Sequence, residues 1–286
     1  MYERVLVGTD LSPTAARAVE RAAMVAKGVG AELILLYAGR DPGSELQELA
    51  ARYDAEAAVV QGSPAEVIVN VANARDAGLV VVGSVGMSGA RRFLLGSVPN
   101  KVSHHATRDV LIVKTDTDRS EIAPYRKILV GTDGSDTATR AVDMAAGLGE
   151  DLNIATTVVC AYQPPSEQEL KQMKADPNDV NALWSGDPSL GDVPDEFRWR
   201  VSAAAQAEDI LERVRDHTAA LGSDADVRAV EGHPADVLIK LAEEEGFDVI
   251  AVGNVGMTGA KRFMLGNVPH RVSHHAPTDV LIFKTT

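Results

Sequence analysis

The chain predicts an α/β fold of two tandem doubly wound domains, each a five-stranded parallel sheet flanked by helices, and three observations carry that prediction. Apolar runs of strand length, such as VLVG and LVVVG, alternate with segments whose apolar residues recur at helical spacing. The pattern then restarts: KILVGTDGSDTATRAV repeats VLVGTDLSPTAARAV with a shift of 123 positions, so that Asp10 becomes Asp133 and Arg17 becomes Arg140. Finally, 286 residues exceed the usual single-domain size and can hold two cores.

The elements follow in order. RVLVGTD at 4–10 reads as the first strand, and the helix after it starts at Ser12 and Pro13, a cap and N1 pair, and is closed by Gly28 and Gly30. ELILLYAG is a nearly continuous apolar strand suited to the middle of a parallel sheet. Residues 44–53 can form only a short helix. AAVVQG is a third strand, 64–74 a helix capped by Ser63, LVVVG a fourth strand, 98–106 a helix and DVLIVKT a fifth strand. DTDRSEIAP is polar and broken by proline, as a linker is, so the boundaries are set at 1–116 for the first domain, 117–125 for the linker and 126–286 for the second. Late in each half the shift is 170, since Gly83 becomes Gly253 and Asp109 becomes Asp279, and the excess over 123 places a 47-residue insertion within 163–224. It begins as an acidic, proline-bearing loop and continues as a long helix from about Glu196 to Leu221, where the first domain has only a stub.

Composition narrows the function. No run of about 18 apolar residues exists, and the start lacks a basic segment followed by a long apolar one, so a soluble cytoplasmic protein without membrane partners is expected. The net charge of −13 disfavours nucleic acid. The single cysteine, Cys160, excludes an internal disulfide and is expected to pack in a strand.

GSVGMSGARRFLLGS at 83–97 returns as GNVGMTGAKRFMLGN at 253–267, with Gly83, Gly86 and Gly96 spaced as Gly253, Gly256 and Gly266 are. Each copy takes a strand into a glycine-rich loop and then a helix start, where backbone N–H groups and the positive dipole end can meet an anion. One copy alone reads equally as a tight turn; repetition at one spacing favours a phosphate cradle. Asp10 and Asp133 follow the first strand of each half, at the edge where open α/β sheets bind ligands, or they cap the next helix. Converging from two non-adjacent strands, carboxylate and loop outline a crevice for a nucleotide, with Asp toward base or ribose and the loop toward phosphates. Arg91, Arg92, Lys261 and Arg262 are either counter-charges for phosphate or solvated loop residues. His104, His105, His274 and His275 fall near helix C-termini, which favours a dipole role; adjacent histidines face different sides of a helix and chelate metal poorly. Trp184 and Trp199 read as anchors for the insertion.

With these residues in view the chain resembles the universal stress protein family, in its ATP-binding branch and tandem form, over essentially its whole length. The family pattern of Gly, two residues, Gly, nine residues, Gly, then Ser or Thr is met by Gly83, Gly86, Gly96 and Ser97. The resemblance implies an adenine nucleotide alpha hydrolase-like arrangement. ATP, with magnesium, would lie across the sheet edge, Asp10 and the backbone near Ala38 at the adenosine end and Gly83, Gly86, Gly96, Ser97 and Val98 at the phosphates. By position the second site would use Asp133, Ala161, Gly253, Gly256, Gly266, Asn267 and Val268, with Asn267 departing from the hydroxyl residue of the pattern. The resemblance further implies that VLIVK at Val110 pairs edge to edge with VLIFK at Val280, covering two apolar edges. It implies a stress or regulatory module, with a regulatory protein partner and in some members a homodimer, and at most slow ATP hydrolysis. Two other readings stand beside it: an ATP-using transferase or ligase, for which no SGGxDS-like loop or HxGH pair is present, and a sensor of AMP or cyclic AMP. A nicotinamide dehydrogenase is weaker, because the first strand ends in GTDLS rather than GxGxxG.

Overall fold

The computed structural model describes residues 2–85, 95–115, 122–163, 195–255 and 265–285. Its first half runs β1 (Arg4–Thr9), α1 (Pro13–Val29), β2 (Glu32–Ala38), α2 (Ser44–Arg52), β3 (Glu56–Val60), α3 (Pro64–Ala74), β4 (Leu79–Gly83), α4 (Ser97–His105) and β5 (Asp109–Val113). The second runs β6 (Lys127–Thr132), α5 (Asp136–Leu152), β7 (Ala155–Tyr162), α6 (Asp195–Ala220), β8 (Asp226–Glu231), α7 (Pro234–Glu245), β9 (Val249–Gly253), α8 (Asn267–His275) and β10 (Asp279–Phe283). Most of the insertion ahead of α6, with Trp184, lies outside the described residues; Trp199 falls in α6.

The two halves join edge to edge at their last strands, as the resemblance implied. They form one ten-stranded sheet in the order β3-β2-β1-β4-β5-β10-β9-β6-β7-β8, parallel throughout except where β5 meets β10 antiparallel. There Val280, Leu281 and Ile282 pair with Ile112, Leu111 and Val110. Strand residues alternate between two cores. Val5, Val7, Leu35, Val81, Leu111, Val130 and Leu281 pack with α1, α2 and α5 on one face, while Leu6, Leu36, Val82, Ile112, Leu129 and Ile282 pack with α3, α4, α7 and α8 on the other. Burial on both faces is why these strands read as unbroken apolar runs rather than alternating ones. Both cores cross the β5–β10 seam.

Local chemistry sets the helices. Ser12 caps α1 by accepting from the Ala15 N–H, Pro13 fills the first helical position, and Gly30 closes the helix at φ 70, its N–H donating to Ala26 O. Gly28 is inside α1 rather than at its end, and a β-carbon there would run into the Leu152 side chain at the end of α5. Its glycine serves the close approach of α1 to α5. Ser63 precedes α3 with extended backbone but makes no side-chain cap bond. Part of the expected linker is docked: Ile122 and Tyr125 are buried, and Arg21 donates to Ala123 O at 2.8 Å.

Candidate functional site

In each half the strand order reverses between two neighbouring strands, β1 and β4 or β6 and β9. These strands are not consecutive in the chain, yet they are hydrogen-bonded partners in the sheet. The crevice exists because α1 leaves β1 toward one face and α4 leaves β4 toward the other, so the chains part at the carboxyl edge. A cavity of about 380 Å³ opens there in the first half, lined by Asp10, Ala38, Gly83, Gly96, Ser97 and Val98 among others. Its counterpart of about 290 Å³ is lined by Asp133, Ala161, Gly253, Gly266, Asn267 and Val268. Gly86, Gly256, Arg91, Arg92, Lys261 and Arg262 lie outside the described residues.

The turn after β1 is tightly specified. The Thr9 hydroxyl accepts from Leu11 N at 3.1 Å, while Asp10 Oδ1 accepts from Ser12 N at 3.0 Å and Ser12 Oγ at 2.5 Å. Asp133 holds Ser135 in the same way, at 3.1 and 2.6 Å. The helix cap is therefore the serine, and the aspartate orients the serine. Leu11 adopts φ 61, where the matching residue of the second half is Gly134 at φ 75. A left-handed leucine costs about 1 kcal/mol or more, and here it directly follows Asp10, which lines the cavity.

At the other end, Gly96 N donates to Ser84 O at 2.8 Å, and Gly266 N donates to Asn254 O at 2.9 Å, so each loop returns to the end of the strand it left. Gly96 caps α4 at φ −61 and ψ 162 without a side-chain bond, and Gly266 caps α8 at φ −64 and ψ 167. No side chain of the cap residue covers the first N–H groups of these helices, which is the property an anion needs. In the first half closeness, rather than left-handed backbone, accounts for these glycines, whereas β-carbons on Gly253 and Gly266 would meet only ordinary contacts. A β-carbon on Gly96 would stand 3.2 Å from Ser84 O, and one on Gly83 would stand 3.1 Å from Thr115 Cγ2.

Residues outside the motif support the loops. Thr115, just past β5, donates from N to Ser84 Oγ at 3.1 Å and from Oγ1 to Val85 O at 3.3 Å. Thr285 donates from N and Oγ1 to Asn254 Oδ1 at 3.0 and 3.1 Å. Repetition of Ser12 at Ser135 and of Thr115 at Thr285 was the available sequence signal. Apolar walls come from Leu36 and Ile68 in the first cavity and from Val159 and Leu238 in the second. Cys160 is buried in β7 against Ala207 and Leu211. Burial, reinforced by Asp133 and Glu208, pushes its thiol up to about 11, which suits packing rather than reactivity. The histidines gather where α4 and α8 meet, with His104 and His270 ring centroids 5.9 Å apart and His270 stacked on His274 at 4.2 Å. Among the described residues no group of three or more His, Cys, Asp or Glu is placed to hold a metal ion. No helix among them is long and apolar enough to cross a membrane.

The family model described as the universal stress protein family matches residues 1–59, 44–114 and 124–284. The chain belongs to the universal stress protein family. A universal stress protein of Mycobacterium tuberculosis is 33% identical over 167 residues, 58% of this chain and 100% of the relative. One from Bacillus subtilis is 29% identical over 162 residues, 56% of this chain and 99% of its own length. Among solved structures, a Pseudomonas aeruginosa protein of unknown function has a TM-score of 0.67 at 20% identity, over 99% of this chain and 92% of that one. A universal stress protein from Archaeoglobus fulgidus has a TM-score of 0.65 at 18% identity over 99% of both chains. The likeness of fold thus extends over both halves of this universal stress protein.

Proposed function

We propose that the chain is a nucleotide-dependent regulatory module that binds ATP in the crevice of each half. The observation that carries this reading is one cavity joining a carboxylate, Asp10, to the N-terminus of α4, whose cap is a glycine. Asp10, held through Oδ1 by Ser12, would accept from base or ribose, and the backbone near Ala38 would meet the adenine edge. The N–H groups opening at Gly96, Ser97 and Val98 would take phosphate oxygens, favoured by the positive end of the helix dipole. The Ser97 hydroxyl suits a magnesium-bound phosphate group, and the metal would neutralise phosphate charge; no Lys or Arg is among the described lining residues. Asp133 and the α8 N-terminus, beginning at Asn267, repeat the arrangement with less room. Binding, with a change of shape or partner as its output, is the function; a homodimer and a regulatory protein are its proposed partners.

Mass spectrometry of ligand retained by the purified protein, followed by calorimetric titration with ATP, AMP and cyclic AMP, tests this. ATP bound at up to two sites, more tightly with magnesium present, is the expected result. Preference for AMP or cyclic AMP assigns the sensor reading instead, and rapid turnover of bound ATP with an acceptor assigns a transferase.

A further inference from the structure

Each half reaches across the β5–β10 seam to hold a helix of the other. Lys284, just past β10, donates its backbone N–H to Asp109 Oδ1 at 2.8 Å and its Nζ to Ser103 O at 2.7 Å. Ser103 lies in the last turn of α4, where the terminal carbonyls lack helical partners. Lys114, just past β5, donates its N–H to Asp279 Oδ1 at 2.8 Å and its Nζ to Ser273 O at 2.9 Å, in the last turn of α8. The two helices that follow the glycine loops, α4 and α8, are therefore each closed at the far end by a cation from the opposite half.

A cation there satisfies a carbonyl and meets the negative end of the helix dipole. An end contact counts for more in a short helix than in a long one, and α4 and α8 have nine residues each. Burying the ammonium is unfavourable, and burial pulls the Lys284 pKa down to about 8 against the pull of Asp109. The residue that follows each lysine faces its own half: Thr115 braces Val85 at the first cavity, and Thr285 braces Asn254 at the second.

We propose that Lys284 and Lys114 are crossed positioning residues, each holding the phosphate-end helix of the nucleotide site in the opposite half, so that neither half completes its site alone. The nucleotide part rests on the reading above; the crossed caps do not.

The test is hydrogen–deuterium exchange with mass spectrometry on the full chain, first without ligand and then with ATP and magnesium. Peptides covering 97–105 and 267–275 differ in sequence and report the two helices separately. Lys284→Met keeps the aliphatic stem and removes the donor. It should speed exchange in 97–105 by roughly three- to tenfold and leave 267–275 near wild type, while Lys114→Met does the reverse. ATP protection should weaken at the matching helix only. Equal changes in both helices, or no change in the matching one, would overturn the proposal, since general destabilisation cannot select a helix in the opposite half. Lys284→Gln and Lys114→Gln, whose shorter amides cannot reach the carbonyls, replace any methionine variant that fails to fold and carry the same expectations. If ATP protects neither helix in the wild type, the nucleotide reading fails while ligand-free exchange still decides the crossed caps.

Discussion

Leu111 and Leu281 face each other across the antiparallel β5–β10 pair, and they are the same residue of the repeat, 170 positions apart. Such a contact is what a two-fold dimer makes between identical strands, formed here inside one chain. The surroundings follow the same symmetry: Asp109 accepts from Tyr2 OH at 2.8 Å, and Asp279 accepts from Tyr125 OH at 2.6 Å. The symmetry breaks at Arg21, which donates to Asp279 Oδ2 at 3.1 Å and lies over the Tyr125 ring, because the matching position in α5 is Met144.

That break predicts unequal costs. Asp279→Ala leaves the buried Arg21 without its carboxylate and should destabilise by about 3 kcal/mol or more. Asp109→Ala loses hydrogen bonds from Tyr2 and the Lys284 backbone and should cost about 1 to 3 kcal/mol. Urea unfolding of both variants measures the difference, and equal costs would mean that Arg21 adds nothing to the seam.

Asp10→Ala should weaken nucleotide binding at the first site by roughly 1 to 3 kcal/mol, the cost of removing one partner from a charged hydrogen bond. Because Ser12 is the cap, stability should fall much less than affinity. Calorimetry paired with thermal unfolding separates the two; a loss of stability with affinity intact would return Asp10 to a structural role.

The two sites should differ in strength, Ser97 marking the tighter and Asn267 the weaker. Replacing a small hydroxyl by a bulkier amide at the helix start changes one hydrogen bond to a charged group, worth roughly 1 to 2 kcal/mol, or about five- to thirtyfold in affinity. Asn267→Ser should tighten the second site and Ser97→Asn loosen the first. Two equal affinities in both variants would remove this position from the ranking.

Gly96→Val should abolish binding at the first site with the fold retained. Its φ of −61 is open to any residue, so the effect comes from the side chain at the helix mouth and from its β-carbon near Ser84 O. The cap change itself should cost about 1 kcal/mol. Wild-type affinity in a well-folded variant, seen by calorimetry and circular dichroism, would make the loop a turn only.

Acid should loosen the seam. Burial first, then His270, His105 and Lys284, pulls the His104 pKa below its ordinary value; burial first, then His274 and His275, does so for His270. A base whose folded pKa is lowered binds fewer protons when folded, so its stability is complete above about pH 6.5 and is lost as pH falls from there. Compared with a His104→Asn, His270→Asn double variant, the wild type should lose urea resistance between roughly pH 6.5 and 5. A constant difference across that range would remove the histidines from the pH response.

By itself the sequence determined the strands and helices, their restart, and the candidate ligand residues Asp10, Gly83 and Gly96. Each of those signals is local: an apolar run, a cap, or a spacing within fifteen residues, repeated at a shift of 123 or 170 positions. The pairing of β5 with β10 entered as an implication of family resemblance, since an apolar edge does not name its partner. Tertiary structure alone decided which groups meet at the seam. Lys284 reaches Ser103 over 181 positions and Lys114 reaches Ser273 over 159, distances set by the strand order of the sheet and not by any pattern along the chain. Likewise the choice between Asp10 and Ser12 as cap depended on side-chain direction, which composition leaves open and the packed turn settles at hydrogen-bond length.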